Sequence, residues 1–195
     1  MKPKLLLHIC CGPCATSVVL RLKEEYEVVG YFCNPNIAPT EEYYRRFAEV
    51  ERLSALWHVL VDAPAYDHRR FLEAVQGMES EPEGGRRCQV CFAFRLNAAA
   101  AAAESHGCTV LATTLTIGRN KRADVINLLG RAACAQHGVT FLEADWKKKD
   151  GAKHSAELAR ELGMYRQNYC GCEFSVRPAG RNEPRRHETT KHTDP

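Results

Sequence analysis

The residues of this sequence best able to do chemistry are thiols, and they are grouped. Ten cysteines occur among 195 residues, and seven fall in three short segments: Cys10-Cys11-Gly12-Pro13-Cys14, Cys88-Gln89-Val90-Cys91 and Cys170-Gly171-Cys172. Four soft thiolates satisfy either a tetrahedral zinc ion or an iron–sulfur cluster. Adjacent Cys10 and Cys11 separate the two. Neighbouring side chains diverge and would crowd one small ion, yet they reach two irons of a cubane, with Cys88 and Cys91 supplying the other pair. The spacing favours a 4Fe-4S cluster and leaves a structural zinc site open, because Cys-x-x-Cys is the commonest zinc ligand source. Cys170-Gly171-Cys172 is too tight for a usual cluster segment. A glycine between two cysteines permits a small, strained and reducible disulfide, which reads as a redox-active pair; alternatively these thiols and Cys14 bind a second metal ion, an iron. Cys11-Gly12-Pro13-Cys14 also has the form of a thioredoxin-like dithiol, a reading that leaves Cys10 and both other pairs without employment. Isolated Cys33, Cys108 and Cys134 are expected in the core.

These thiols need a scaffold, and the periodicity supplies one. Residues 4–8 form an apolar strand that ends in a Gly-Pro turn, and helical spacing follows over 15–25. Strand patterns recur at 28–32, 58–61, 109–114 and 139–142, alternating with helical patterns at 41–56, 67–75, 89–106, 123–137 and 151–162. The glycine- and proline-bearing stretch 76–87 reads as a loop. This alternation predicts an α/β fold with a mostly parallel sheet and helices on both faces, a Rossmann-like three-layer arrangement. Such folds bind ligands outside the carboxyl ends of the strands. Cys10 and Cys11 fall just past the first strand, which places a metal cluster in that crevice. Residues 1–175 read as one catalytic domain, and 176–195, poor in apolar periodicity, as a disordered tail.

Composition narrows the function. The 45% hydrophobic content suits a globular core, and the net charge is 27 − 24 = +3, too weak to demonstrate a nucleic-acid partner by itself. No apolar run approaches the roughly 20 residues that cross a bilayer, so no membrane role is expected. No secretory leader is expected either, which points to the cytoplasm. In that reducing compartment ten cysteines speak for metal or redox chemistry rather than a disulfide framework.

Five ordered motifs carry a family resemblance: His8-Ile9-Cys10-Cys11-Gly12-Pro13-Cys14, Tyr31-Phe32-Cys33-Asn34-Pro35-Asn36-Ile37, Arg87-Cys88-Gln89-Val90-Cys91-Phe92, Thr113-Thr114-Leu115 and Tyr165-Arg166-Gln167-Asn168-Tyr169-Cys170-Gly171-Cys172. The set resembles the cobalamin-independent epoxyqueuosine reductases of the QueH family, from about residue 4 to residue 175. The resemblance implies reduction of epoxyqueuosine to queuosine at the wobble position of tRNAs with a GUN anticodon (Asp, Asn, His, Tyr), using electrons from an unidentified donor. It further implies that Cys10, Cys11, Cys88 and Cys91 ligate the 4Fe-4S cluster and that Cys170 and Cys172 are the redox-active pair. The chain departs from the family where Ile117-Gly118-Arg119-Asn120-Lys121 stands in place of a Ser-Pro before the lysine, and Trp146 replaces a Phe.

Removing an epoxide oxygen needs two electrons and a proton or Lewis acid for the departing oxygen. Tyr169, Tyr165, Asp145 and His8 are the candidate proton donors. Arg45, Arg46, Arg86, Lys121, Lys147 and Lys148 are the candidate tRNA contacts. Two rivals remain: a zinc-stabilised, non-catalytic RNA-binding module, and a dithiol oxidoreductase built on Cys11 and Cys14.

Overall fold

Strand β1 (Lys4–His8) is central in a sheet covered on both faces, which is why Leu5, Leu6 and Leu7 are all fully buried in the computed structural model, which describes residues 2–176. β1 pairs in parallel with β2 (Glu27–Tyr31) on one side and with β4 (Val110–Thr113) on the other, and β3 (Val61–Asp62) and β5 (Thr140–Phe141) complete the order β3-β2-β1-β4-β5. In register, His8 faces Tyr31 on β2 and Thr113 on β4. The strand order reverses at β1, so the carboxyl ends of β1 and β4 open a crevice.

Alternation along β1 divides the core in two. Leu5 and Leu7 join Val28 beneath α1 (Gly12–Glu25), α2 (Thr40–Trp57) and α6 (Gly151–Glu161), where Val18, Val50 and Ala159 meet them. Leu6 points the other way, with Val29 and Leu111, against α4 (Arg86–Ser105) and α5 (Ala123–Ala135). The alanine run is the packing face of α4, with Ala99, Ala100 and Ala103 fully buried. A short helix α3 (His68–Ala74) buries Phe71 beside Val75 and Cys172.

The expected three-layer α/β architecture is present, with shifted boundaries. Gly12 and Pro13 are not a turn but the start of α1, because proline is tolerated in a first turn, where its missing N–H has no intrahelical partner anyway. α4 begins at Arg86, inside the stretch expected as loop. The third strand is displaced to Val61–Asp62 because left-handed His58 closes α2 first. Residues 177–195, read as a tail, lie outside the described residues. Among the described residues no helix is long and apolar enough to cross a membrane.

Candidate active site

The crevice gathers sulfur. Cys10 follows β1, Cys11 is the extended residue that caps α1, and Cys14 lies in its first turn. These three sulfurs lie within 4.8 Å of one another. Thr114, just past β4, accepts the Cys10 N–H at 2.9 Å and donates its hydroxyl to Cys10 Sγ at 3.2 Å, tying the two sides of the crevice together. Hydrogen bonds from Cys11 and Cys14 hold the Cys10 thiol well below its usual range, opposed by burial and aided by Arg95. The hydrogen bond to Cys10 pushes Cys11 up to about 12 against a lowering one from Cys14, and those to Cys10 and Cys11 push Cys14 well above the ordinary thiol value. These contacts favour the charged form at Cys10 and the neutral thiol at Cys11 and Cys14.

Cys88 and Cys91 lie one turn apart on α4, hence on one face of the helix. Cys88 is buried and accepts the Gly84 N–H at 3.2 Å. Burial pushes Cys91 up to about 12, against the pull of Arg95, while the charges of Cys170 and Cys172 raise it further. Cys170 and Cys172 are free thiols. Cys170 Sγ accepts from Lys121 Nζ at 2.9 Å, and Cys172 is buried beside Phe71, Val75 and Cys91. Gly171 between them has φ +152°, and a Cβ there would stand 2.8 Å from Asn36 Nδ2 and 3.3 Å from Arg46 Nη1. An inner cavity of ≈ 140 Å³ is walled by Cys10, Cys11, Cys14, Cys170 and Arg95. An outer cleft of ≈ 340 Å³ shares Cys14, Lys121, Gln167, Tyr169 and Cys170 with it and adds polar Arg119, Arg166 and Asn168.

The candidate proton donors separate by position. Tyr169 lines both cavities, with its hydroxyl donating to the Ala38 carbonyl. Tyr165 does not line them: its hydroxyl donates to Glu42 at 2.9 Å, and Arg45 covers its ring at 3.7 Å. Burial would raise the Asp145 carboxyl, but hydrogen bonds and charge from Lys147, whose Nζ is 3.0 Å away, bring it below the usual carboxylate range. Asp145 is thus a charged acceptor. His8 is fully buried, and desolvation followed by the charge of Arg95 pushes its pKa to about 3. The Cys33 carbonyl, 3.3 Å from Nε2, can only accept, so Nε2 carries the hydrogen and Nδ1 accepts from Thr113 Oγ1 at 2.8 Å. His8 is a neutral bracket between β1 and its neighbours.

The cations expected on an RNA-facing rim also separate. Arg45, Arg86 and Lys148 are exposed. Arg46 is not on the rim: it is 2% exposed, pairs with Glu42 at 2.7 Å and donates to the carbonyls of Cys170 at 2.9 Å and Tyr169 at 3.4 Å. Lys147 is tethered by the carbonyls of Thr116 and Lys121 as well as by Asp145. Lys121 turns inward to Cys170.

Arg95 was not foreseen. It is 3% exposed, donates to Asn34 Oδ1, leaves Nε without a partner, and pairs with no carboxylate among the described residues. Its charge acts to lower the pKa of Cys10, Cys33 and Cys91 alike. Its place one turn beyond Cys91, two beyond Cys88, was the available signal. Gln167 and Asn36, both inside recognised motifs, also line the inner cavity.

A parallel sheet between two layers of helices, with three thiols gathered at its switch point, defines an α/β protein of Rossmann-like architecture with a candidate metal centre. A family model described as "Epoxyqueuosine reductase QueH" matches residues 5–178. A Streptococcus pyogenes serotype M1 protein named epoxyqueuosine reductase QueH is 33% identical over 186 residues, covering 92% of this chain and 73% of that one. A Haemophilus influenzae protein of the same name is 38% identical over 181 residues, covering 91% and 74%. This chain belongs to the QueH family, a family of oxidoreductases. In fold it is also similar to the U34-tRNA thiolase NcsA from Methanococcus maripaludis, solved with its [4Fe-4S] cluster, at TM-score 0.60 and 13% identity over 90% of this chain and 62% of the thiolase. This chain therefore spans less than two thirds of the thiolase.

Proposed function

We propose that this chain reduces epoxyqueuosine to queuosine at the wobble position of tRNAs with a GUN anticodon (Asp, Asn, His, Tyr), in the cytoplasm, with its single catalytic domain spanning residues 1–175. The observation that carries this reading is a thiol-lined cavity sharing its walls with a polar cleft, at the switch point of a chain from this family. The reaction breaks the epoxide C–O bonds to leave an alkene, and consumes two electrons and two protons to release the oxygen as water.

The donor set fits a 4Fe-4S cluster. Its sulfurs are soft ligands, and buried Arg95, which pairs with no carboxylate among the described residues, supplies the counter-charge that a group of thiolates needs in a desolvated site. Cys10, Cys11, Cys88 and Cys91 would hold the cluster, and Cys14, whose sulfur lies within 4.8 Å of those of Cys10 and Cys11, would be the candidate ligand of a second iron. When bound, such a cluster supplies one-electron transfer, drawn from a donor still to be identified. Cys170 and Cys172 as a dithiol hold two electrons and two protons, released when they close to a disulfide. Tyr169, on the wall of both cavities, would be the proton donor to the leaving oxygen once its hydroxyl turns from the Ala38 carbonyl. Lys121 orients Cys170, and the exposed Arg45, Arg86 and Lys148 meet the RNA backbone.

Expression in a bacterium lacking its own epoxyqueuosine reductase tests this. Nucleoside mass spectrometry of its tRNA should show queuosine restored by the native chain and not by Cys170→Ala. Persistence of the epoxide with well-expressed native protein contradicts the reading.

A further inference from the structure

Asn34 separates the thiol cavity from a second one. Its Oδ1 accepts from Arg95, which lines the first, and Asn34 itself lines another cavity of ≈ 340 Å³ beyond the carboxyl ends of β2 and β3. The reductase reading makes no use of this space. Its walls include the rings of Tyr43, Tyr66 and Phe94. Tyr43 and Tyr66 stack with centroids 4.2 Å apart, and the Tyr66 hydroxyl is committed to the Ile37 carbonyl. The Tyr66 ring, backed by buried Tyr43, is fixed before anything binds, so a planar ligand packing against it pays little side-chain entropy. At the mouth stand Asn97 and Arg70, both exposed, with the Arg70 guanidinium 6.0 Å from the Phe94 ring centroid.

Each part of this set matches one part of a nucleotide. Aromatic faces stack a base, a carboxamide reads both donors and acceptors on its edge, and a guanidinium takes the adjoining phosphate. A lipid tail would leave the amide and the cation unused. We propose that this cavity is a nucleobase-binding subsite. Its favoured occupant is a base of the anticodon loop, unstacked beside the nucleoside that enters the thiol site, a source that rests on the tRNA reading above. A free nucleotide presents the same chemistry.

Binding of an unmodified anticodon stem–loop RNA, and separately of guanosine and adenosine monophosphates, to the full chain distinguishes these sources. Phe94→Ala should weaken the RNA about tenfold, the usual loss for one stacked base. Asn97→Ala, on the surface and safe for folding, should weaken it about fivefold, one hydrogen bond's worth. Circular dichroism of both variants should match the native protein. A saturable mononucleotide signal lost in Phe94→Ala, with RNA binding unchanged, supports the base site and assigns it to a free nucleotide. Equal binding of every probe by the native chain and both folded variants overturns the proposal. The readout is binding, so a chain that shows these losses yet reduces no epoxide keeps the subsite and loses only the reductase reading.

Discussion

The guanidinium of Arg46 donates to the carbonyl of Cys170 at 2.9 Å, across 124 positions of sequence, while pairing with Glu42 at 2.7 Å in a site only 2% exposed. α2 thereby holds the Cys170-Gly171-Cys172 segment in place. Removing one partner of a buried pair leaves the other charge uncompensated, at a cost of about 3–5 kcal/mol. Arg46→Ala should therefore lower the urea-derived stability by about that amount. Arg45→Ala, at the exposed neighbour, should stay within about 0.5 kcal/mol of native. Equal, small effects of both would return Arg46 to the rim.

The cysteine set makes a prediction in colour. Alanine at Cys10, Cys11, Cys88 or Cys91 should abolish the visible charge-transfer absorption and the acid-labile sulfide of anaerobically purified protein, because each removes a cluster ligand. Alanine at Cys170 or Cys172 should leave both in place. If Cys88→Ala keeps the chromophore while Cys14→Ala loses it, the ligands are the three sulfurs that lie within 4.8 Å of one another, completed from elsewhere.

Arg95 should act on the potential of whatever the thiols hold. A buried positive charge favours the more negative, reduced state, and net charge and hydrogen bonding set cluster potentials. Arg95→Gln, which keeps a donor for Asn34 but removes the charge, should shift the reduction potential downward in a dye-monitored titration. An unchanged potential at full iron loading would reduce Arg95 to a packing residue.

Gly171 should not tolerate a side chain. Its φ of +152° is a conformation that L residues rarely adopt, and an added Cβ would stand 2.8 Å from Asn36 Nδ2. Gly171→Ala should cost about 1–3 kcal/mol and slow epoxide reduction, read by parallel urea melts and nucleoside assays. Native stability in that variant would mean the segment is loosely held.

Much of this was legible in the sequence for local reasons. β1 falls on residues 4–8 as expected, because an apolar run flanked by polar residues has few alternatives in a parallel sheet. The close approach of the Cys10, Cys11 and Cys14 sulfurs, within 4.8 Å of one another, was not legible, since neighbouring side chains ordinarily diverge; extended Cys11 at the start of α1 brings them together. Long-range partners were not legible. Arg46 and Lys121 looked like rim cations, since nothing near them in sequence announces the carbonyl or the sulfur of Cys170. Arg95 hid in the alanine-rich helix for the same reason. A lone arginine there reads as solvated until the fold buries it.

The most direct measurement is a single-turnover reaction of anaerobically purified protein, its iron and sulfide quantified, with epoxyqueuosine-containing tRNA and dithionite, read by nucleoside mass spectrometry. Loss of one oxygen from the nucleoside, in proportion to the iron-loaded protein, is the predicted result. A colourless zinc protein that binds the tRNA and leaves the epoxide intact would contradict it and make this chain an RNA-binding module.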